Sequence, residues 1–330
     1  MLQIHQFKSL HRDNAHPSGA LNRYMENMKK HQFCCSLCDA VDFTAIGFSG
    51  FYSSRTTARI CRKCGLVCLN PRWDEAGYAE YYRKAYYNSY LSLDSMDSLP
   101  GERGLTITKV TAQCVDTSAS ILEIGSGFGG NLIALSQQGF GNLAGVEVDD
   151  RCCRIIHEKL PSCNIFNGTL GEYAFTKHEK HDLVILSHVL EHFVEPKVAL
   201  KQISTLLKLD GKLMILVPDT GAPRHLMQQL TTPHTHYFTH RTLNLLLHTC
   251  GFENLKRYDD LPGDIFILCQ RTASKLAPPP LRTSEYSERL RSVGVEWLTA
   301  WPNQLGRRLC ELILSEQQAR TLWQRIRNTQ

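Results

Sequence analysis

Residues 121–130 read Ile121-Leu122-Glu123-Ile124-Gly125-Ser126-Gly127-Phe128-Gly129-Gly130. A short apolar run passes into glycines, and a helical pattern follows over 131–138. A ligand can lie against such a turn only where no Cβ intervenes and where backbone N–H groups at a helix start point outward. Gly125, Gly127 and Gly130 form a G-x-G-x-x-G, and Gly129 adds an overlapping third glycine. That pattern alone also fits a dinucleotide site. Glu123, two residues before the first glycine, repels a pyrophosphate and suits a cationic ligand. The next apolar run ends in Val146-Glu147-Val148. An acidic group there accepts hydrogen bonds from ribose hydroxyls.

Outward from this turn, apolar runs alternate with helical patterns. The spacing predicts strands at 120–124, 143–148, 164–167, 183–187, 212–217, 255–258 and 264–270, with helices between most of them, such as 131–138 and 196–207. Alternation of this kind implies an α/β fold with a parallel sheet covered on both faces. Only residues 259–263, with Pro262-Gly263, separate the last two strands. That is too short for a crossover helix, so these two are expected to pair antiparallel.

With residues 182–192 (Asp-Leu-Val-Ile-Leu-Ser-His-Val-Leu-Glu-His) and 206–218 (Leu-Leu-Lys-Leu-Asp-Gly-Lys-Leu-Met-Ile-Leu-Val-Pro) added, the stretch 120–271 resembles class I S-adenosylmethionine (SAM)-dependent methyltransferases. Asp210 stands where glycine is more usual in that family. The resemblance implies a Rossmann-like seven-stranded sheet whose last strand is antiparallel, with SAM as cofactor. By the same resemblance Glu123, Gly125, Ser126, Gly127, Phe128 and Gly129 hold the methionine and ribose end. Glu147 binds the ribose, Val148 lies against the adenine, and Ser187 and His188 face the cofactor. Thr169, followed by Leu170, stands where the family often has an acidic residue bonding the adenine amino group.

Ahead of this core lie Cys35-x-x-Cys38 and Cys61-x-x-Cys64, with 22 residues between the pairs. Four thiolates from two such knuckles can surround one tetrahedral zinc at about 2.3 Å. The gap is long enough for two short strands, at 45–51 and 57–60. So small a module lacks a core of its own, and metal binding would supply its folding energy. Four cysteines leave no open coordination position, so the zinc is read as structural. Cys34 competes with Cys35 for a place among the ligands, and Cys68 is a further extra. Residues 61–72, followed by a tyrosine-rich helical stretch, are similar to a bacterial arrangement in which a zinc ribbon precedes a methyltransferase core. That arrangement often serves sugars, surface polysaccharides or natural products. The implied acceptor is therefore a small, sugar-like molecule.

Tyr78, Tyr81, Tyr82 and Tyr86 recur at helical spacing. Tyr82 and Tyr86 are the expected cofactor contacts, through cation–π attraction to a sulfonium; the rest are read as packing. Residues 232–239 (Thr-Pro-His-Thr-His-Tyr-Phe-Thr) resemble an H-x-H-x-F-(S/T) segment of the same methyltransferases, with Thr239 as a helix N-cap. Methyl transfer to a hydroxyl or amine needs a proton removed, and a neutral histidine suits the task. His236 is the first candidate base, with His192 and His234 behind it. A metal site of His234, His236 and His240 lacks an acidic or cysteine partner nearby in sequence.

These readings divide the chain into a tail at 1–30, a zinc-ribbon module at 31–73, a helical lid and linker at 74–118, the methyltransferase core at 119–271, and a helical extension at 272–330. In the extension, helices are expected at 284–300 and 303–327. Net charge is +5, and residues 271–330 carry ten Lys/Arg against five Asp/Glu. A basic tail can attract nucleic acid, but a solvated helix surface is the favoured reading. An RNA or protein methyltransferase and a non-catalytic SAM-binding regulator are the rival readings. No run of about 18 apolar residues occurs, and 13 cysteines without a hydrophobic leader point to a reducing, cytoplasmic setting.

Overall fold

The computed structural model describes residues 27–49, 56–86, 101–221, 226, 229–230, 234–272 and 286–291. Two sheets organise them. The larger has seven strands: β4 (Ile121–Ile124), β5 (Leu143–Glu147), β6 (Asn164–Asn167), β7 (His181–Ser187), β8 (Leu207–Pro218), β10 (Phe252–Tyr258) and β11 (Asp264–Arg271). Their order is β10-β11-β8-β7-β4-β5-β6. From central β4 the chain steps to β5 and β6 on one side, then returns to β7 and β8 on the other. All four of those neighbour pairs are parallel. β11 runs antiparallel to both β8 and β10, as expected from the short link between the last two strands. The sheet is that of class I methyltransferases. Its direction switches between β4 and β7, and in open α/β sheets the crevice at such a switch is where ligands bind.

Side-chain alternation along the strands fills both faces. Leu122, Ile124, Val184, Leu186, Leu213 and Ile215 belong to one buried cluster, where they meet α5 (Leu170–Thr176), α6 (Pro196–Leu206) and α7 (His240–Thr249). Ile121, Leu183, Ile185, Met214 and Leu216 belong to the other. There they meet α2 (Glu102–Cys114), α3 (Gly130–Gln137) and α4 (Asp150–Lys159). β6 and β10 close the two edges and expose more of their side chains. α7 starts at Thr239, whose hydroxyl accepts from the Thr242 N–H in a capping box.

The smaller sheet is antiparallel, in the order β1 (Phe43–Ser49), β2 (Thr56–Cys61), β3 (Val67–Leu69) and β9 (His236–Tyr237). The first two fill the gap between the cysteine knuckles. β9 comes from the far side of the methyltransferase core, so one strand of the N-terminal sheet is supplied by residues almost 170 positions later (Cys68 opposite His236). Cys35, Leu37, Cys61, Cys64 and Leu66 pack into the same apolar cluster as β4 and β7. The division proposed at residue 73 therefore marks a change of sequence pattern, while the packing runs across it. α1 (Glu75–Tyr81) passes into one π turn at Tyr82–Tyr86; residues 87–91 of the expected helix lie outside the described residues. Of the expected C-terminal helices, 286–291 is helical. Tyr286 shares a hydrogen bond with Thr44 at 2.9 Å, and the remainder lies outside the described residues. No helix among the described residues is long and apolar enough to cross a membrane.

Candidate active site

The turn after β4 holds Gly125, Gly127 and Gly129 at φ of 66°, 53° and 78°. This is left-handed backbone that favours glycine. A Cβ on Gly125 would meet Val189 at 2.7 Å, and one on Gly129 would meet Ile156 at 2.7 Å. The turn is held from below by Glu147. One carboxylate oxygen accepts from the Gly127 N–H at 2.8 Å, and the other from the Val148 and Asp149 N–H groups at 2.8 and 3.0 Å. Burial raises this carboxyl above the usual range against the pull of those three N–H groups.

Above the carboxyl ends of β4 to β7 opens a cavity of about 330 Å³, within the range of about 300–1,000 Å³ seen for small-molecule sites. Gly125, Glu147, Val148, Thr169, Leu170, Ser187, His188 and His192 all line it. Tyr78 and Tyr82 of the α1 segment cover it, and Arg103 of α2 reaches its edge. Glu123, Ser126, Gly127, Phe128 and Gly129 do not line it. Glu123 is 1% exposed beneath the turn. There Asn131 donates to its Oε1 at 2.5 Å, and burial pushes its carboxyl up to about 8. Thr169 lines the cavity as the N-cap of α5: its hydroxyl accepts from the Glu172 N–H and donates to the Glu172 carboxylate at 2.9 Å. Capping accounts for this threonine. Tyr86 is described in backbone only.

His236, the first candidate for the base, lies elsewhere. It is 1% exposed. Ser36 Oγ meets its Nε2 and Thr235 Oγ1 its Nδ1, both at 2.8 Å, and its ring stacks on Phe238. Burial holds its pKa well below the ordinary value. Arg72, also 1% exposed, completes the seam by donating to Leu69 O at 2.9 Å and Val194 O at 2.8 Å. With both ring nitrogens engaged and no face on the cavity, His236 joins the N-terminal sheet to the core. It is not a base.

His192, the second candidate, does line the cavity. It ends a 3₁₀ turn (Leu190–His192), its ring edge-on to Tyr82 at 5.9 Å and to His234 at 4.8 Å. Beside it Glu191 is 1% exposed, and neither carboxylate oxygen has a hydrogen-bond partner among the described residues. Burial pushes this carboxyl up to about 7. His188 has an uncommon left-handed backbone (φ 55°) for a residue with a side chain. Its ring lies between Asp264 (Nε2 to Oδ2, 3.1 Å) and Glu191 (Nδ1 to Oε1, 3.5 Å), and Arg103 stands 4.0 Å from Asp264. The sequence pattern points to none of Tyr78, Arg103, Glu191 and Asp264: Tyr78 reads as packing, Glu191 as an ordinary residue of the Leu-Glu-His pattern, and Arg103 and Asp264 carry no local signal.

The four knuckle cysteines also converge. The thiols of Cys35, Cys38, Cys61 and Cys64 all lie within 4.8 Å of one another, with Cys35–Cys64 and Cys38–Cys61 at 3.5 Å. Thiolates bound to one zinc stand about 3.8 Å apart, from Zn–S distances of about 2.3 Å, so the donor set fits that ion. Cys34 is exposed and outside the set, which decides for Cys35.

A sheet in this order, with a glycine turn at its switch point and a carboxylate ending the next strand, defines a class I nucleotide-binding α/β domain. Residues 80–257, more than half of the chain, match the family model described as "Methyltransferase domain", and the chain belongs to that family of SAM-dependent enzymes. A search of curated proteins finds no match. Among solved structures, the Burkholderia thailandensis 1,6-didemethyltoxoflavin-N1-methyltransferase is 17% identical. The similarity covers 63% of this chain and 96% of that one, with a TM-score of 0.49. Magnesium protoporphyrin IX methyltransferase from Synechocystis PCC 6803 is 15% identical over 60% and 100%, with a TM-score of 0.47. At such identities and scores these likenesses carry no inference about the acceptor.

Proposed function

We propose that this methyltransferase transfers a methyl group from SAM to a small, sugar-like acceptor in the cavity above β4–β7. One observation carries this reading: Gly125, Glu147, Tyr82 and His192 all line one cavity. The donor supplies an electrophilic methyl group on a sulfonium. Gly125 lets its adenosyl end approach the backbone, and Glu147 both fixes the turn and accepts from the ribose hydroxyls. Val148 and Leu170 give apolar walls for the adenine. The Arg103 guanidinium, half exposed at the cavity edge, offers a partner for the methionyl carboxylate. Tyr78 and Tyr82 cover the sulfonium region with aromatic rings.

The acceptor enters beside His192. Positioning supplies most of the rate, and His192 is the side chain that activates the acceptor's nucleophile. A histidine can do so by taking the proton or by holding a cation that acidifies the bound group; the neighbours of His192 favour the second. The Cys35–Cys38–Cys61–Cys64 set holds a structural zinc that keeps the N-terminal sheet folded. A partly apolar cavity of about 330 Å³ suits a small acceptor better than a polymer.

Calorimetry on the purified full chain tests the cofactor assignment. S-adenosylhomocysteine should bind with one equivalent per chain, and Gly125→Ala should weaken it at least about tenfold, because an L side chain there is strained by about 1–2 kcal/mol and strikes Val189. Heat from nicotinamide nucleotides with none from S-adenosylhomocysteine would overturn the assignment. Mass spectrometry of reactions with nucleotide-sugar acceptors should then show a gain of one methylene; transfer to RNA alone would remove the small-molecule reading.

A further inference from the structure

Glu191, His192 and His234 bring three metal-type ligand atoms within 4.8 Å of one another, and His192 of the three lines the cavity. Glu191 sits 1% exposed with two carboxylate oxygens that accept no hydrogen bond among the described residues. Buried carboxylates are ordinarily satisfied, as Glu147 is by three N–H groups. The groups facing the Glu191 carboxylate are His188 at 3.5 Å and His192 at 3.8 Å, both outside hydrogen-bond distance. His234 adds a tautomer argument. Its Nδ1 has no hydrogen-bond partner among the described residues, and the Gln229 backbone is a further neighbour of the ring. A backbone carbonyl on one imidazole nitrogen leaves the lone pair on the other, the arrangement found behind metal-bound histidines.

We propose that Glu191, His192 and His234 form a second metal site, separate from the cysteine cluster, for a divalent transition ion. Two imidazoles and one carboxylate suit zinc, iron(II), cobalt or manganese better than calcium or magnesium. Ligands of a zinc ion at about 2.0–2.2 Å stand roughly 3.3–3.5 Å apart, so the 3.8 Å between Glu191 and His192 closes with a small rotation. Three protein ligands would leave a coordination position open, as in catalytic sites, and His192 is the ligand that lines the cavity. The ligand taken there is an acceptor oxygen. On binding, an acceptor hydroxyl releases its proton to water, since the ion lowers its pKa. The oxygen–methyl bond then forms as the sulfonium carbon–sulfur bond breaks, and that electron pair stays on sulfur. The metal site itself does not depend on the methyl-transfer reading; its catalytic use does.

Cobalt(II) titration of the zinc-loaded full chain tests this, with S-adenosylhomocysteine calorimetry run separately on the same protein. The expected result is one added cobalt per chain, with visible d–d bands and no thiolate charge-transfer band. Glu191→Gln and His234→Gln should each weaken that binding more than about 100-fold while one zinc remains on the cysteines. His234 is only half buried, so His234→Gln decides the matter if Glu191→Gln does not fold. Absence of a thiolate-free cobalt site in the wild type, or its retention in His234→Gln, overturns the proposal. Cobalt binding without S-adenosylhomocysteine binding would leave the metal site standing and overturn the cofactor assignment instead.

Discussion

His234 and His236 are two residues apart and serve different regions. Around His236 both ring nitrogens have partners: Ser36 and Thr235 take them, Thr235 Oγ1 also bonds Glu191 O and Phe193 O, and of Arg72 only Nε has no partner among the described residues. Around His234 the buried Glu191 carboxylate is left without hydrogen bonds among the described residues. Folding alone explains the first region, because unsatisfied buried polar groups cost about 1–3 kcal/mol each. The second keeps such a cost beside a cavity, and a ligand is what relieves it. The contrast separates a histidine that holds the molecule together from those that act on something else.

The largest test of the seam is removal of the thiolate-bound metal. Cys61→Ser should lose that zinc and unfold the N-terminal sheet, because structural zinc binding is worth about 10–16 kcal/mol, as much as the roughly 5–15 kcal/mol of a whole domain. Because Cys61 and Cys64 share a core cluster with β4 and β7, circular dichroism should report loss of cooperativity in the whole chain. An unchanged melting curve would mean that the sheet stands without the ion. Next come the two histidines. His192→Gln should lower kcat by about 10²–10⁴, the range expected when activation of the nucleophile is lost, with Tm unmoved. His236→Ala should do the reverse: kcat of the folded enzyme kept, and stability reduced by about 2–4 kcal/mol through two lost hydrogen bonds and lost packing. Equal effects of both changes on kcat would dissolve the contrast.

A smaller effect is expected beneath the glycine turn. Burial first, then repulsion from Glu147, raises the Glu123 carboxyl from 4.5 to about 8. The unfolded chain therefore releases this proton near pH 4.5 while the folded chain keeps it to about pH 8. Folding stability from this group falls as pH rises between those values, by about 1.4 kcal/mol per unit at most. Glu123→Gln keeps an acceptor for Asn131 and removes the titration. Its stability, measured by urea unfolding without cofactor, should be flatter over that window; parallel curves would rule the effect out. The smallest effect belongs to the exposed pair Lys197–Asp39, at 2.9 Å with Asp39 78% exposed. Asp39→Asn should change stability by less than about 1 kcal/mol, leaving buried Arg72 as the stronger tie across the seam.

The sequence by itself determined the sheet, the glycine turn and the cysteine knuckles. Each of these is local: strand periodicity, three glycines in left-handed backbone, and two C-x-x-C pairs are written into consecutive residues. Glu147 was equally legible, since the end of the second strand lies next to the first turn whatever else the chain does. Only the tertiary structure decided among the histidines. Whether an imidazole is satisfied depends on Ser36 for His236, on Glu191 and Tyr82 for His192, and on Gln229 for His234. The first of these lies 200 residues from its partner. Burial and hydrogen bonding are properties of the assembled neighbourhood, and no pattern of adjacent residues encodes them.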